Sequence, residues 1–127
     1  MNKQTKIDHI ALTYENKKDA EIFFKKILGL ELTKSFTLSE KLTKDLFGII
    51  EEIEVDVYSN ESSYFEIFYS KRKNIHFFDH TCIKVNNKED FIKKCKVNSI
   101  KPIFIKKGVK TLLFVKDFAG NLFEIVD

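Results

Sequence analysis

The stretch that decides the fold is Asp79-His80-Thr81-Cys82-Ile83-Lys84-Val85-Asn86-Asn87-Lys88-Glu89-Asp90, because it repeats an earlier part of the chain. The earlier copy is Asp8-His9-Ile10-Ala11-Leu12-Thr13-Tyr14-Glu15-Asn16-Lys17-Lys18-Asp19, and matching residues are always 71 positions apart. A second echo follows each copy, at Phe65-Glu66-Ile67 and at Phe123-Glu124-Ile125. The chain is therefore predicted to consist of two halves built alike, each with one His early and one Glu late.

Length and composition predict a single globular domain over residues 1–127, with 43% hydrophobic and 32% charged residues. The net charge of +3 gives no reason to expect nucleic acid or a membrane surface as a partner. The two cysteines, Cys82 and Cys95, do not form a disulfide framework, which fits a reduced, cytoplasmic setting. The sequence contains neither a secretory signal nor an apolar run of the roughly 18 residues that a membrane span needs.

Each half is predicted to run strand, helix and three strands, with module one at about residues 6–70 and module two at about 79–127. Apolar alternation predicts the first strand at residues 7–14, and the helix after it is capped by Asn16 and ends at Gly29. In module two the pattern restarts at His80, and Asn87 caps the second helix. Residues 39–48 are predicted as either a short helix or a mobile flap, and residues 71–78 as a linker. The remaining strands are predicted at residues 31–38, 53–57, 64–70, 103–107, 111–116 and 122–126.

The predicted fold class is α+β, with two paired βαβββ modules in one chain whose curled mixed sheets form a cleft. Each helix covers one face of its sheet, so the other face is left uncovered. Strand parity assigns four polar side chains to the uncovered faces: His9, Glu66, His80 and Glu124. Carboxylates buried in a cleft cost several kcal/mol unless they are paired or bound to a cation. Two imidazoles and two carboxylates therefore predict a divalent metal site, suited to Zn, Ni, Co, Mn or Fe.

The sequence resembles the vicinal oxygen chelate superfamily, which includes glyoxalase I, bleomycin-resistance proteins and extradiol dioxygenases. The resemblance covers essentially the whole chain and implies one glyoxalase-like domain built from paired βαβββ modules. It rests on Asp8-His9-Ile10-Ala11-Leu12, the helix with Phe23-Phe24 that runs into Gly29, Phe65-Glu66-Ile67, Asp79-His80, and the ending from Val115 to Ile125 with its Asp117-Phe118-Ala119-Gly120-Asn121 turn.

By this resemblance, His9, Glu66, His80 and Glu124 match the four metal-ligand positions of glyoxalase I. The resemblance implies a lyase or isomerase that abstracts a proton next to an oxygenated carbon and stabilises the enediolate. Its substrate would be a small α-hydroxycarbonyl compound or thioester, with Glu66 or Glu124 as the general base. Two alternatives stay open: a ferrous extradiol-type dioxygenase that uses His9, His80 and Glu124, and a non-catalytic drug- or metabolite-binding protein of the bleomycin-resistance type.

We also predict residues on the substrate side of the cleft. Thr13 stands where the bacterial glyoxalase I pattern has an Arg that helps hold glutathione, which makes glutathione a doubtful substrate. The only Arg of the chain, Arg72, falls in the linker. A homodimer is expected, and whether one chain or two complete the site is left open. The residues predicted to contact a small-molecule substrate are Thr13, Phe47, Tyr64, Phe68, Lys84 and Phe114.

Overall fold

The computed structural model describes residues 7–73 and 75–127, so the predicted start of module one at about residue 6 lies outside the described residues. Helix α1 starts as an α-helix at Lys17–Ala20 and continues as a π-helix at Glu21–Ile27. The other elements of module one are β1 (Ile10–Tyr14), β2 (Glu31–Leu38), α2 (Glu40–Phe47), β3 (Ile53–Ser59) and β4 (Tyr64–Tyr69). Module two contains β5 (His80–Lys84), α3 (Lys88–Val97), β6 (Ile103–Lys107), β7 (Lys110–Lys116) and β8 (Leu122–Val126).

The two modules have the same sheet topology. The strand orders are β1-β4-β3-β2 and β5-β8-β7-β6, with the first strand of each module parallel to its last and the other pairs antiparallel. The repeat seen in the sequence is therefore a repeat of structure. The predicted α+β fold of two βαβββ modules is confirmed.

The repeated Asn residues start the two long helices. The Asn16 side-chain oxygen accepts a hydrogen bond from the Asp19 backbone N–H at 2.9 Å, and Asn87 accepts one from Asp90 at 3.0 Å. Each bond satisfies a backbone N–H group that has no partner within its helix. The repeated stretch therefore specifies a strand followed by a capped helix in both modules.

A single aromatic core lies on the helix side of both sheets. The ring of Phe23 in α1 lies 5.1 Å from that of Phe123 in β8, and Phe65 in β4 lies 6.5 Å from Phe123. All three rings are almost fully buried, as are Ile67 and Ile125 on the same faces of β4 and β8. Because the helix sides share this core, the opposite face of each sheet is left outside it.

Two segments differ from or refine the sequence expectation. Strand β1 begins at Ile10 rather than at Ile7. Ile10 is the first residue that pairs with the parallel strand β4, where its register partner is Phe65. Residues 39–48 form the helical alternative, since Ser39 accepts a hydrogen bond from the Leu42 N–H at 3.2 Å. Helix α2 lies on the uncovered side of module one, where the Phe47 ring meets Phe68 edge-on at 5.8 Å.

Candidate functional site

The first pair of predicted ligands meets on the uncovered face of module one. Glu66 lies between the buried residues Phe65 and Ile67 of β4, so strand alternation turns its carboxylate to the opposite face. His9 directly precedes β1, and its Nε2 lies 3.5 Å from Glu66 Oε1. The Glu66 side chain is only 17% exposed, and the Tyr64 ring lies 5.8 Å from the imidazole.

The imidazole of His9 is oriented by a second carboxylate. His9 Nδ1 lies 2.9 Å from Asp8 Oδ2, and since a carboxylate can only accept, Nδ1 must carry the proton. Nε2, the nitrogen facing Glu66, is then free of a proton in the neutral ring. The hydrogen bond to Asp8, reinforced by the negative charge of Glu66, raises the pKa of His9 above its ordinary value, although desolvation acts in the opposite direction.

The predicted ligands of module two occupy strand positions that match those of module one. In module one Ala11 is the register partner of Glu66, and in module two Cys82 is the register partner of Glu124. His80 Nδ1 lies 3.0 Å from the backbone oxygen of Phe78, so this nitrogen donates to a carbonyl and Nε2 is again the free one. The third histidine differs, because His76 uses its Nε2 to bond the carbonyl of Ala119 at 3.2 Å.

The four predicted ligands do not meet within one chain. Across residues 7–73 and 75–127, no three His, Cys, Asp or Glu side chains are close enough together to bind one metal ion. His9 and Glu66 form one pair on module one, while His80 and Glu124 belong to the sheet of module two. The sequence left open whether one chain or two complete the site, and the contact observed among the four residues is that between His9 and Glu66.

A pocket of about 430 Å³ lies on the same sheet face as the His9–Glu66 pair, since it is lined by Ala11, the register partner of Glu66. It follows the uncovered face from Ala11 to Thr13 and is bounded by Phe47 of α2 and Phe68 of β4. Three of the six predicted substrate contacts, Thr13, Phe47 and Phe68, therefore line this pocket. Among the other three, Tyr64 contacts His9, Lys84 is exposed on β5, and Phe114 pairs with Glu124 in the β7–β8 register.

Sequence reasoning missed the charged mouth of this pocket. Arg72 and Lys73, which fall in the predicted linker, line it together with Glu51. Arg72 Nε donates to Glu51 Oε2 at 3.2 Å. The only signal in the sequence was that Arg72 is the sole Arg of the chain. No pattern within residues 71–78 predicts that Arg72 lies in the same pocket as Thr13, which is 59 positions earlier.

The distribution of charge between the modules was also missed. Residues 6–70 contain 8 Lys against 13 Asp and Glu, a net charge of −5, whereas residues 79–127 contain 10 Lys against 6 acidic residues, a net charge of +4. Residues 91–116 contain eight Lys and no acidic residue. The small total charge therefore hides two modules of opposite sign.

Comparison with known proteins supports the fold. The fosfomycin resistance protein FosX from Listeria monocytogenes superposes with a TM-score of 0.75 at 14% identity, over 98% of this chain and 92% of that chain. A glyoxalase family protein from Enterococcus faecalis gives 0.71 at 20% identity, over 96% and 97% of the two chains. A FosX variant in complex with Mn(II) and 1S,2S-dihydroxypropylphosphonic acid gives 0.73 at 13% identity, over 98% and 92%. The sequence itself matches no family model and no curated protein.

These similarities establish the fold, which is the one that the sequence resemblance predicts. FosX and the glyoxalase family proteins are members of the vicinal oxygen chelate superfamily. Within residues 7–73 and 75–127, no helix has the length and apolar character required to cross a membrane.

Proposed function

Because the chain has the fold of the vicinal oxygen chelate superfamily, we propose that it is a metal-dependent lyase or isomerase of the glyoxalase I type. The observation that carries this proposal is the orientation of two histidines. His9 and His80 both commit Nδ1 to an oxygen acceptor and leave Nε2 available. Metal-binding histidines are held in this way, because the second hydrogen bond fixes the tautomer and makes the free nitrogen a better donor.

The donor set fits a divalent transition metal. His9, Glu66, His80 and Glu124 would hold it with two nitrogens and two oxygens, a mixture that suits Zn, Ni, Co, Mn or Fe. When bound, such an ion supplies Lewis-acid stabilisation of the negative charge that develops on a substrate oxygen. The Mn(II) bound to FosX, a protein of the same fold, supports this class of ion.

The carboxylates would move the proton. Glu66 lies beside the His9 imidazole, and Glu124 is the register partner of Cys82, two residues after His80. Either carboxylate would accept the proton from the carbon next to the oxygenated carbon. Glu66 favours lyase or isomerase chemistry over the dioxygenase alternative, since a ferrous dioxygenase needs only His9, His80 and Glu124. The substrate would be a small α-hydroxycarbonyl compound or thioester.

We propose further that two copies of the chain complete each site. In a two-fold dimer, His9 and Glu66 of one copy would face His80 and Glu124 of the other, and the symmetry would form two such sites. The charges support this pairing, because it sets a module of net −5 against a module of net +4. The uncovered face of module two also carries Ile105, 47% exposed, which a second copy would cover.

The experiment is elemental analysis of the purified protein after incubation with each candidate metal and gel filtration. The wild-type chain is expected to retain about one equivalent, and Glu124→Gln to bind at least about tenfold more weakly, as loss of a ligand predicts. Glu54→Gln is the control, because Glu54 is 62% exposed and pairs with Lys17 away from the site. Failure of the wild-type chain to retain any of these metals would contradict the proposal.

A second candidate function is modification of fosfomycin, favoured by the similarity to FosX. It is tested by expressing the chain in a fosfomycin-sensitive bacterium and measuring the inhibitory concentration. A rise that is lost in His9→Gln would favour this candidate, and an unchanged concentration would leave the lyase or isomerase assignment. A binding protein of the bleomycin-resistance type would instead keep its ligand affinity in His9→Gln.

A further inference from the structure

The pocket on the same sheet face as the His9–Glu66 pair has an apolar middle and a cationic mouth. Phe47 and Phe68 close it from α2 and β4, with Ile53 of β3 beside them. At the mouth stand Arg72, Lys73 and one acidic residue, Glu51, so the charged groups there sum to +1. A ligand with an apolar body and one anionic end would match both parts.

The guanidinium of Arg72 can accept such an anion at little cost. Its pair with Glu51 is open to water, since the two side chains are 60% and 40% exposed. Exposed ion pairs are weak because water screens the two charges, so an entering anion has little to displace. The bond to Glu51 also uses only Nε–H, one of the five N–H donors of the guanidinium. The planar group suits two parallel hydrogen bonds to a carboxylate or phosphonate.

The strand register places the mouth of the pocket and the His9–Glu66 pair on the same face of the sheet. Ala11 lines the pocket and is the register partner of Glu66, and Thr13, two residues further along β1, is the partner of Phe68. Each two-residue step along a strand spans about 6.6 Å. A ligand anchored at the mouth therefore extends across Phe68 toward the His9–Glu66 pair, on one continuous sheet face.

We propose that the substrate carries an oxyacid anion that is bound by Arg72 and Lys73, with its apolar body on Phe47 and Phe68 and its oxygenated carbon at His9 and Glu66. This inference deepens the proposed function and rests on it for the last of these contacts alone. It also changes the interpretation of Thr13, which stands at the position where an Arg was expected. The absence of an Arg at that position does not remove anion recognition, because the only Arg of the chain lies in the same pocket.

The test uses metal-free protein, prepared with a chelator, so that anion binding is measured without the metal site. The probes are 3-phenylpropanoate, 2-phenylethylphosphonate and the neutral 3-phenylpropanamide, titrated while amide chemical shifts are followed by NMR. Both anions are expected to bind at least about tenfold more tightly than the amide, because Arg72 and Lys73 can make charge-assisted hydrogen bonds to an anion but not to the neutral amide. The largest shifts are expected at Thr13, Ser70 and Arg72, which line the pocket.

Three single-site variants separate anion binding from a structural role. Arg72→Gln is expected to weaken the binding of 3-phenylpropanoate about tenfold, and Glu51→Gln to strengthen it about threefold, because it removes a competing carboxylate. Lys71→Gln is the matched control, since it removes the same charge from the same segment but Lys71 does not line this pocket. Its affinity for the anion is expected to stay within about twofold of wild type.

Equal affinity for the anions and the amide would overturn the inference, and so would weaker binding in Glu51→Gln. The second result would mean that the Arg72–Glu51 pair serves only to hold the segment in place. Because the protein is metal-free, anion binding that fails while elemental analysis finds metal removes this inference and leaves the proposed function. Anion binding that succeeds without any metal affinity supports the pocket and contradicts the proposed function.

Discussion

Asp8 and Asp79 occupy the same place in the sequence repeat, yet only one of them holds a histidine. Asp8 accepts the Nδ1–H of His9 at 2.9 Å, whereas the Nδ1–H of His80 is accepted by the Phe78 carbonyl at 3.0 Å. The sequence predicts the two His as equivalent, because residue identity repeats. It does not predict their acceptors, because a backbone carbonyl is provided by the path of the chain and not by a residue type.

This difference gives a prediction for single residues. Asp8→Asn should lower the pKa of His9 toward its ordinary value, because the hydrogen bond to Asp8 is the largest cause of the raised pKa. Asp79→Asn, the substitution at the matching position of the repeat, should leave the pKa of His9 unchanged. The measurement is an NMR titration of the imidazole protons in the wild-type chain and in the two variants. Equal shifts in the two variants would mean that Asp8 does not hold His9.

The sign of the pH effect follows from the direction of the shift. Since the pKa of His9 is raised in the folded chain, protonated His9 stabilises the fold below the ordinary value of 6.5. That contribution is lost as the pH rises through the raised pKa. The free energy of unfolding of Asp8→Asn should therefore fall below that of wild type by more at pH 5 than at pH 8.

Two phenylalanines show how one residue type acts differently in different elements. Phe123 of β8 is fully buried between the modules and contacts rings from α1 and β4. Phe47 of α2 is 54% exposed and contacts Phe68 at the pocket. Strand alternation assigns Phe123 to the face opposite its neighbour Glu124, which is the side of the core. The second belongs to a segment that the sequence described only as a helix or a flap, because its covering contact comes from a strand about 20 residues away.

Truncation of each ring is expected to have opposite consequences. Phe123→Ala should lower the free energy of unfolding by about 3–5 kcal/mol, because it leaves a cavity in the shared core. Phe47→Ala should cost less than about 1 kcal/mol, as expected for a half-exposed ring, but should weaken binding of 3-phenylpropanoate. Urea unfolding and the NMR titration measure the two effects. A large loss of stability in Phe47→Ala would mean that α2 belongs to the core rather than to the pocket.

The arrangement of whole molecules is the part that sequence patterns could not supply. Alternation fixed the face on which Glu66 and Glu124 lie, and the repeat fixed their common strand register. Neither pattern fixes how one module is placed relative to the other, since that depends on the packing of rings such as Phe23 and Phe123 across the shared core. The fold could therefore be predicted in full outline, whereas the separation of the His9–Glu66 pair from His80 and Glu124 could not.

The central claim is that one metal centre takes its donors from two copies of the chain. His9→Gln and His80→Gln should each lose the metal as homodimers. If they are co-expressed with different tags and purified as a mixed dimer, one centre has both substitutions and the other has neither.

The most direct measurement is the metal content of that mixed dimer beside a second mixed dimer of wild type with the double variant His9→Gln/His80→Gln. Sites shared between copies predict about one metal per dimer in the first and none in the second. Sites contained within single chains predict the reverse, no metal in the first and one in the second, and that result would contradict the account.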